Sequence, residues 1–224
     1  MKAATILLLF FCAVTARAVE NYEYFGRFQS LRGYTGGIIN PNADILSKKK
    51  ISLGINKFNV GVLWGITDGI ETGVHFNLRN ITPFTAFDSE NLGRKADEIS
   101  FVSKVRLFDE RDYGFDFALG HRRSVVYWVL ERYFPEFYDI TLSGGIMVRY
   151  RDDPGNKTKL FFTLHRTRAG HRFIYDFDDS DSSQNIGWRF LLSPDVSLDL
   201  FLTDFTRYSG FFDNFYFGAS IIWL

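Results

Sequence analysis

Apolar and polar residues alternate one by one along Asn59 to Leu78, NVGVLWGITDGIETGVHFNL. Val60, Val62 and Trp64 share one face, with Asn59, Gly61 and Gly65 opposite. Beyond a tight Thr-Asp-Gly turn, Thr72, Val74, Phe76 and Leu78 share a face, and Glu71, Gly73, His75, Asn77 and Arg79 take the other. Successive side chains of a strand point to opposite faces, so a period of two with charge on one side predicts strands with one wet and one apolar face. Asp68-Gly69 suits the turn, because glycine accepts the positive φ that tight hairpins need.

The same alternation runs to the C-terminus and predicts about twelve strands, with ten as the alternative. The first is about Lys50 to Lys57, and the hairpin above supplies the second and third. The fourth, ISFVSKVRL, turns Ile99, Phe101, Val105 and Leu107 one way and Lys104 and Arg106 the other. The fifth sets Tyr113, Phe115, Phe117 and Leu119 outward against Gly114, Asp116, Ala118 and Gly120. Ser124 to Arg132 is apolar on both faces, which leaves its register open and admits a helix. The seventh, about Tyr138 to Tyr150, points Asp139, Thr141, Ser143 and Arg149 inward. The eighth spans about Lys159 to His165, and the ninth alternates Phe173, Tyr175 and Phe177 with Arg172 and Asp176. The tenth has Ile186, Trp188 and Phe190 outward and Arg189 inward; the eleventh opposes Asp199 to Val196, Leu198, Leu200 and Leu202; the last is about Asn214 to Leu224.

An even count puts both termini on one side. The connections at Thr67 to Gly69, Asp109 to Asp112, Arg166 to Gly170 and Ser193 to Asp195 are then short and share that side. Asn80 to Glu98, Arg151 to Asn156, Asp179 to Gln184 and Arg207 to Asp213 share the other and are longer on the whole. Outer-membrane barrels show this asymmetry, with short periplasmic turns and longer external loops. The segment between the sixth and seventh strands and the short connection near His121 to Arg123 fit it less well.

Composition sharpens the picture. The chain has 25 Phe, 11 Tyr and 4 Trp, and 23% of its residues are charged. Aromatic girdles and a polar interior are what a membrane barrel needs, and closure removes the strand edges that lipid cannot satisfy. A secreted β-sandwich or lipocalin-like barrel is the soluble alternative. Lys2, the apolar run Ile6 to Val14 and Ala16-Arg17-Ala18 have the order of a secretory signal cleaved after Ala18. The run is shorter than the roughly 20 residues of a membrane helix. Cleavage would remove Cys12, the single cysteine, and leave 24 basic against 26 acidic residues, a net charge of −2. That balance argues against a nucleic-acid partner. The expected organisation is a signal over residues 1–18, a polar periplasmic approach segment over 19–49 and an outer-membrane barrel over 50–224.

The approach segment contains GYTGGIINPNADIL, Gly33 to Leu46, which reads as a compact turn feeding the first strand. This run resembles the N-terminal part of the YjbH-like outer-membrane barrels, through Gly33, Thr35, Gly36, Ile39, Asn40, Pro41 and Ala43. GITDGIETG, Gly65 to Gly73, resembles a hairpin common to many outer-membrane barrels, that family included. The resemblance covers about a fifth of the chain. It implies a short, single-barrel member and a link to exopolysaccharide secretion. The C-terminal strand resembles the assembly signal of such proteins but ends in Trp223-Leu224 rather than Phe.

No GxSxG, HExxH, CxxC or phosphate-loop motif occurs in the chain. His75 has Asn77, and His165 has Thr167, where an outer-membrane lipid hydrolase would want Ser. No catalytic residue, metal site or cofactor is therefore predicted. The candidate functional residues are the inward charges Glu71, His75, Arg79, Lys104, Arg106, Asp116, Asp139, Arg149, Lys159, Arg172, Asp176, Arg189 and Asp199. They either line a solute path and set its selectivity, or pair with one another and plug the lumen. Twelve strands lie between the barrels that side chains fill and those that leave an aqueous channel. The expected partners are outer-membrane lipids, the barrel-assembly machinery and a small solute or polysaccharide. The function expected first is a small pore or export-associated barrel; a structural or adhesive barrel acting through its external loops, and a lipid hydrolase, are the alternatives.

Overall fold

The computed structural model describes residues 27–78, 99–150, 158–179, 183–206 and 214–223. The predicted signal, the four longer loops, Arg79 and Leu224 lie wholly or partly outside the described residues.

Twelve antiparallel strands close into one barrel. They are β1 Ile51–Asn56, β2 Asn59–Thr67, β3 Ile70–Asn77, β4 Ile99–Phe108, β5 Asp116–Arg122 and β6 Val125–Phe134. The second half is β7 Ile140–Arg149, β8 Thr158–Arg168, β9 His171–Asp178, β10 Ser183–Ser193, β11 Val196–Leu202 and β12 Phe215–Trp223. Every strand pairs with its neighbours in sequence, and β1 pairs with β12 from Ile51 opposite Trp223 to Asn56 opposite Gly218. No strand edge is left open, and the all-β, twelve-stranded expectation holds.

Two-residue turns, Asp68-Gly69, Ala169-Gly170 and Pro194-Asp195, close three hairpins at one end. The β4–β5 connection at that end contains a short helix, α1 Glu110–Tyr113. Tyr113, Gly114 and Phe115 therefore leave the strand that alternation gave them. Asp109 caps the helix by accepting from the Arg111 amide at 3.1 Å, and Gly114 ends it at φ +78. The Arg111 side chain also donates to Asp109 and holds that carboxyl down at about 2. The β5–β6 turn at the opposite end is tight as well, so the division of connections into short and long is not complete.

The outward wall is apolar, with Trp64, Phe101, Leu130, Leu160, Phe173 and Phe217 all exposed. The inward wall is mixed, which the alternation did not anticipate. Leu63, Val102, Val129, Phe161 and Phe201 point into the lumen and are buried there. β6 is apolar on both faces for this reason: Tyr127 and Val129 join the interior core while Trp128 and Leu130 face out.

What covers these residues is the N-terminal segment. Residues 27–50 do not lead up to the barrel from outside, as the polar, aperiodic sequence suggested; they fold into its lumen. Phe28, Tyr34, Ala43 and Leu46 pack with Leu63, Val102, Val129 and Phe161 in one cluster. Leu31 and Ile38 pack with Ile174 and Phe201 in another. The segment turns on itself through short bridges, Gln29 with Thr35 and Gly36 with Pro41. A chain so rich in turns has few internal partners for its polar groups, and those groups must find them on the wall.

Candidate functional site

The wall supplies those partners at four places. Glu71 on β3 is wholly buried. Its carboxylate accepts from the Thr35 amide at 3.3 Å, the Thr35 hydroxyl at 2.9 Å and the Leu46 amide at 2.9 Å. Lys104 on β4 stands directly opposite in register and pairs with it at 3.3 Å. The Lys104 ammonium also donates to the Thr35 hydroxyl, to the Thr35 carbonyl at 3.0 Å and to the Asn42 carbonyl at 3.1 Å.

Asp176 on β9 holds the next turn. One carboxylate oxygen accepts three consecutive amides, Ile38 and Ile39 at 2.7 Å and Asn40 at 3.1 Å. A β-carbon on Gly37 would stand 2.5 Å from the other oxygen, so the close approach requires glycine there. The Asn40 side chain donates to the Phe177 and Phe162 carbonyls at 2.9 and 3.3 Å.

Arg189 on β10 is the third anchor. It pairs with Asp199, opposite in register on β11, at 2.7 Å. Its remaining nitrogens reach the Gln29 and Gly36 carbonyls at 2.8 and 3.2 Å. The fourth anchor is a pair of reciprocal contacts. Gln29 donates to the Ser52 and Gly61 carbonyls at 2.8 and 3.2 Å. The His75 Nε2 lies 2.9 Å from the Leu31 carbonyl, which calls for a proton on that nitrogen. Gly33, at φ +85, leaves the His75 ring its space.

The other predicted residues sit at the two ends. At the tight-turn end Arg106 lies 3.1 Å from Asp109 and 3.8 Å from Asp116, and donates to the Asp68 carbonyl. Asp116 accepts from the Glu110 amide at 3.0 Å. Asp139 is not on a strand; it takes φ +58 before β7 and accepts from the Tyr133 hydroxyl. Arg172 donates to the Thr167 hydroxyl at 2.9 Å. These groups border a cavity of about 480 Å³ that opens toward the tight turns. At the long-loop end Arg149 and Lys159 border a smaller pocket.

Alternation assigned the facing of the wall charges but missed their partners on the segment. It also missed Glu131, which accepts from Ser143 across β6 and β7, and Asp178, which pairs with Arg32 at 3.3 Å. Glu131 lies on an inner face beside Tyr127 and Val129, whereas Asp178 ends an inner face that already carries Arg172 and Asp176.

A scan against protein-family models finds no match for the chain, and a search of curated proteins finds none either. Fold and lumen together define a class: a closed twelve-stranded β-barrel with an internal plug made from its own N-terminal segment.

Proposed function

We propose that this protein is an outer-membrane β-barrel, closed at rest by residues 27–50, whose transport or export role depends on moving that plug. The observation that carries the reading is the occupied lumen, in which Glu71, His75, Lys104, Asp176 and Arg189, expected to line a path, are instead bonded to the plug. The membrane part rests on the outer wall. A soluble monomer rarely exposes a contiguous apolar surface of this kind, whereas a barrel in lipid requires one. Outer-membrane lipids and the barrel-assembly machinery are the partners this implies.

Kinship with the YjbH-like barrels belongs to the same proposal. Its support is that Thr35, Gly36, Asn40, Pro41 and Ala43, which carry the resemblance, are buried as the body of the plug. A surface polymer could then use the lumen only after the plug has left it. A plug anchored at four places on the wall also suits a structural or adhesive barrel that works through its long loops, and conductance separates the two.

The refolded chain from Val19 should be silent in a planar bilayer. Stable unitary steps in the unaltered protein would overturn the closed-barrel reading. The membrane reading has its own test. Leu164 faces outward midway along β8. Leu164→Arg should destabilise the barrel in vesicles by roughly 2–4 kcal/mol, the effect of a cation at the bilayer midplane. Urea unfolding in lipid vesicles measures it, and a change near zero would point to a soluble protein.

A further inference from the structure

A pocket of about 170 Å³ opens on the long-loop side of the plug. Arg122 ends β5, Val125 begins β6 and Arg149 ends β7, and the three stand in one register row. Lys159 on β8 faces Met147, two residues before Arg149. Arg32 of the plug and Tyr127 also line the pocket. Four cations thus border a space in which Asp178 is the one carboxylate among the described lining residues.

That carboxylate is already engaged by Arg32. Arg122 donates its Nε to the Arg32 carbonyl at 3.0 Å, which uses a donor without neutralising charge. Arg149 and Lys159 make no ion pair with a described residue. The Tyr127 hydroxyl is buried with no hydrogen-bond partner among the described residues. Like charges around one pocket repel one another, and Arg32, Arg122 and Lys159 are half-buried while Arg149 is exposed. An orphaned buried hydroxyl is likewise unfavourable. One anionic group would relieve both, accepting from the guanidinium forks, the ammonium and the phenol together.

We propose that this pocket binds an oxyanion group, a phosphate or a carboxylate, presented from the long-loop side. The volume suits one such group or one acidic sugar unit, not a folded partner. The site goes beyond the closed-barrel reading and does not depend on conduction, because binding can be read in detergent.

The test is calorimetric titration of the refolded chain from Val19 with inorganic phosphate, glucuronate and glucose. Saturable binding of phosphate or glucuronate but not glucose is expected. Arg149→Gln and Lys159→Gln should each weaken it about tenfold, the loss of one charge-assisted contact. Binding of phosphate alone assigns a phosphate ligand, and tighter binding of glucuronate assigns an acidic glycan. Should either variant fail to refold, Tyr127→Phe, which keeps every charge, serves the same comparison and should also weaken binding. No binding of either anion, or equal affinity in the variants, would overturn the proposal.

Discussion

Glu71→Ala is expected to unseat the plug and give ion conductance through a barrel that is silent without the change. The carboxylate lies at the junction of wall and plug, accepting from Thr35 and Leu46 while facing Lys104. Removing it leaves the Lys104 ammonium buried and uncompensated. Breaking a buried pair from one side costs about 3–5 kcal/mol, most of it from the charge left behind. Rearrangement of Thr35 to Leu46 would let water reach that charge, so the cheapest relaxation loosens the plug. Unitary steps in a planar bilayer and a lower melting temperature should appear together. The double variant Glu71→Gln, Lys104→Met removes both charges and keeps an acceptor for the plug amides. It should melt closer to the unaltered protein than Glu71→Ala does, and the single variants Glu71→Gln and Lys104→Met close the cycle that measures the coupling. A Glu71→Ala protein that stays silent and melts unchanged would mean that the plug is held elsewhere.

The facing of Glu71 and Lys104 was legible in the sequence; their role was not. A period of two says which side of a strand a residue takes, and it fails where the chain leaves the strand, as at Tyr113 and Asp139, or shifts register within it, as near Leu191. It does not say what fills the enclosed space. The plug has no period because it is all turns, so Gly33 to Leu46 reads as a loop. Its partners are remote in sequence: Asp176 meets Ile38, and Arg189 meets Gln29. Such pairings leave no local trace. One signal was present. Leu63, Val102, Val129, Phe161 and Phe201 occupy inward positions, and a water-filled lumen gives no reason for a run of buried apolar side chains there. An interior wall that is apolar in patches implies protein against it.

The mixture of signs follows from the same geometry. A selectivity filter concentrates one charge around a passage, whereas a plug exposes both amides and carbonyls to the wall. Carboxylates are therefore found where amides converge, at Glu71 and Asp176, and cations where carbonyls converge, at Lys104 and Arg189. The long-loop pocket departs from this rule: four cations border it, and Asp178 is the one carboxylate among its described lining residues.

Asp176→Ala should produce the second large effect, and its origin differs from that of Glu71. Among the described residues no cation pairs with Asp176; its oxygen gathers the amides of Ile38, Ile39 and Asn40. Alanine would strand three donors in the lumen, each at about 1–3 kcal/mol if it finds no other acceptor. Part of that is recovered if the turn swings toward the tight-turn cavity and is hydrated. Amide hydrogen exchange at Ile38 to Asn40 should therefore quicken by far more than exchange at the Glu71 contact with Leu46. Asp176→Asn keeps one oxygen in place and gives up the charge, so it separates two contributions. Near-normal protection with asparagine would mean that an acceptor alone holds the turn. Loss as great as with alanine would mean that the three amides require a full negative charge, as charge-assisted hydrogen bonds of this kind are the stronger ones.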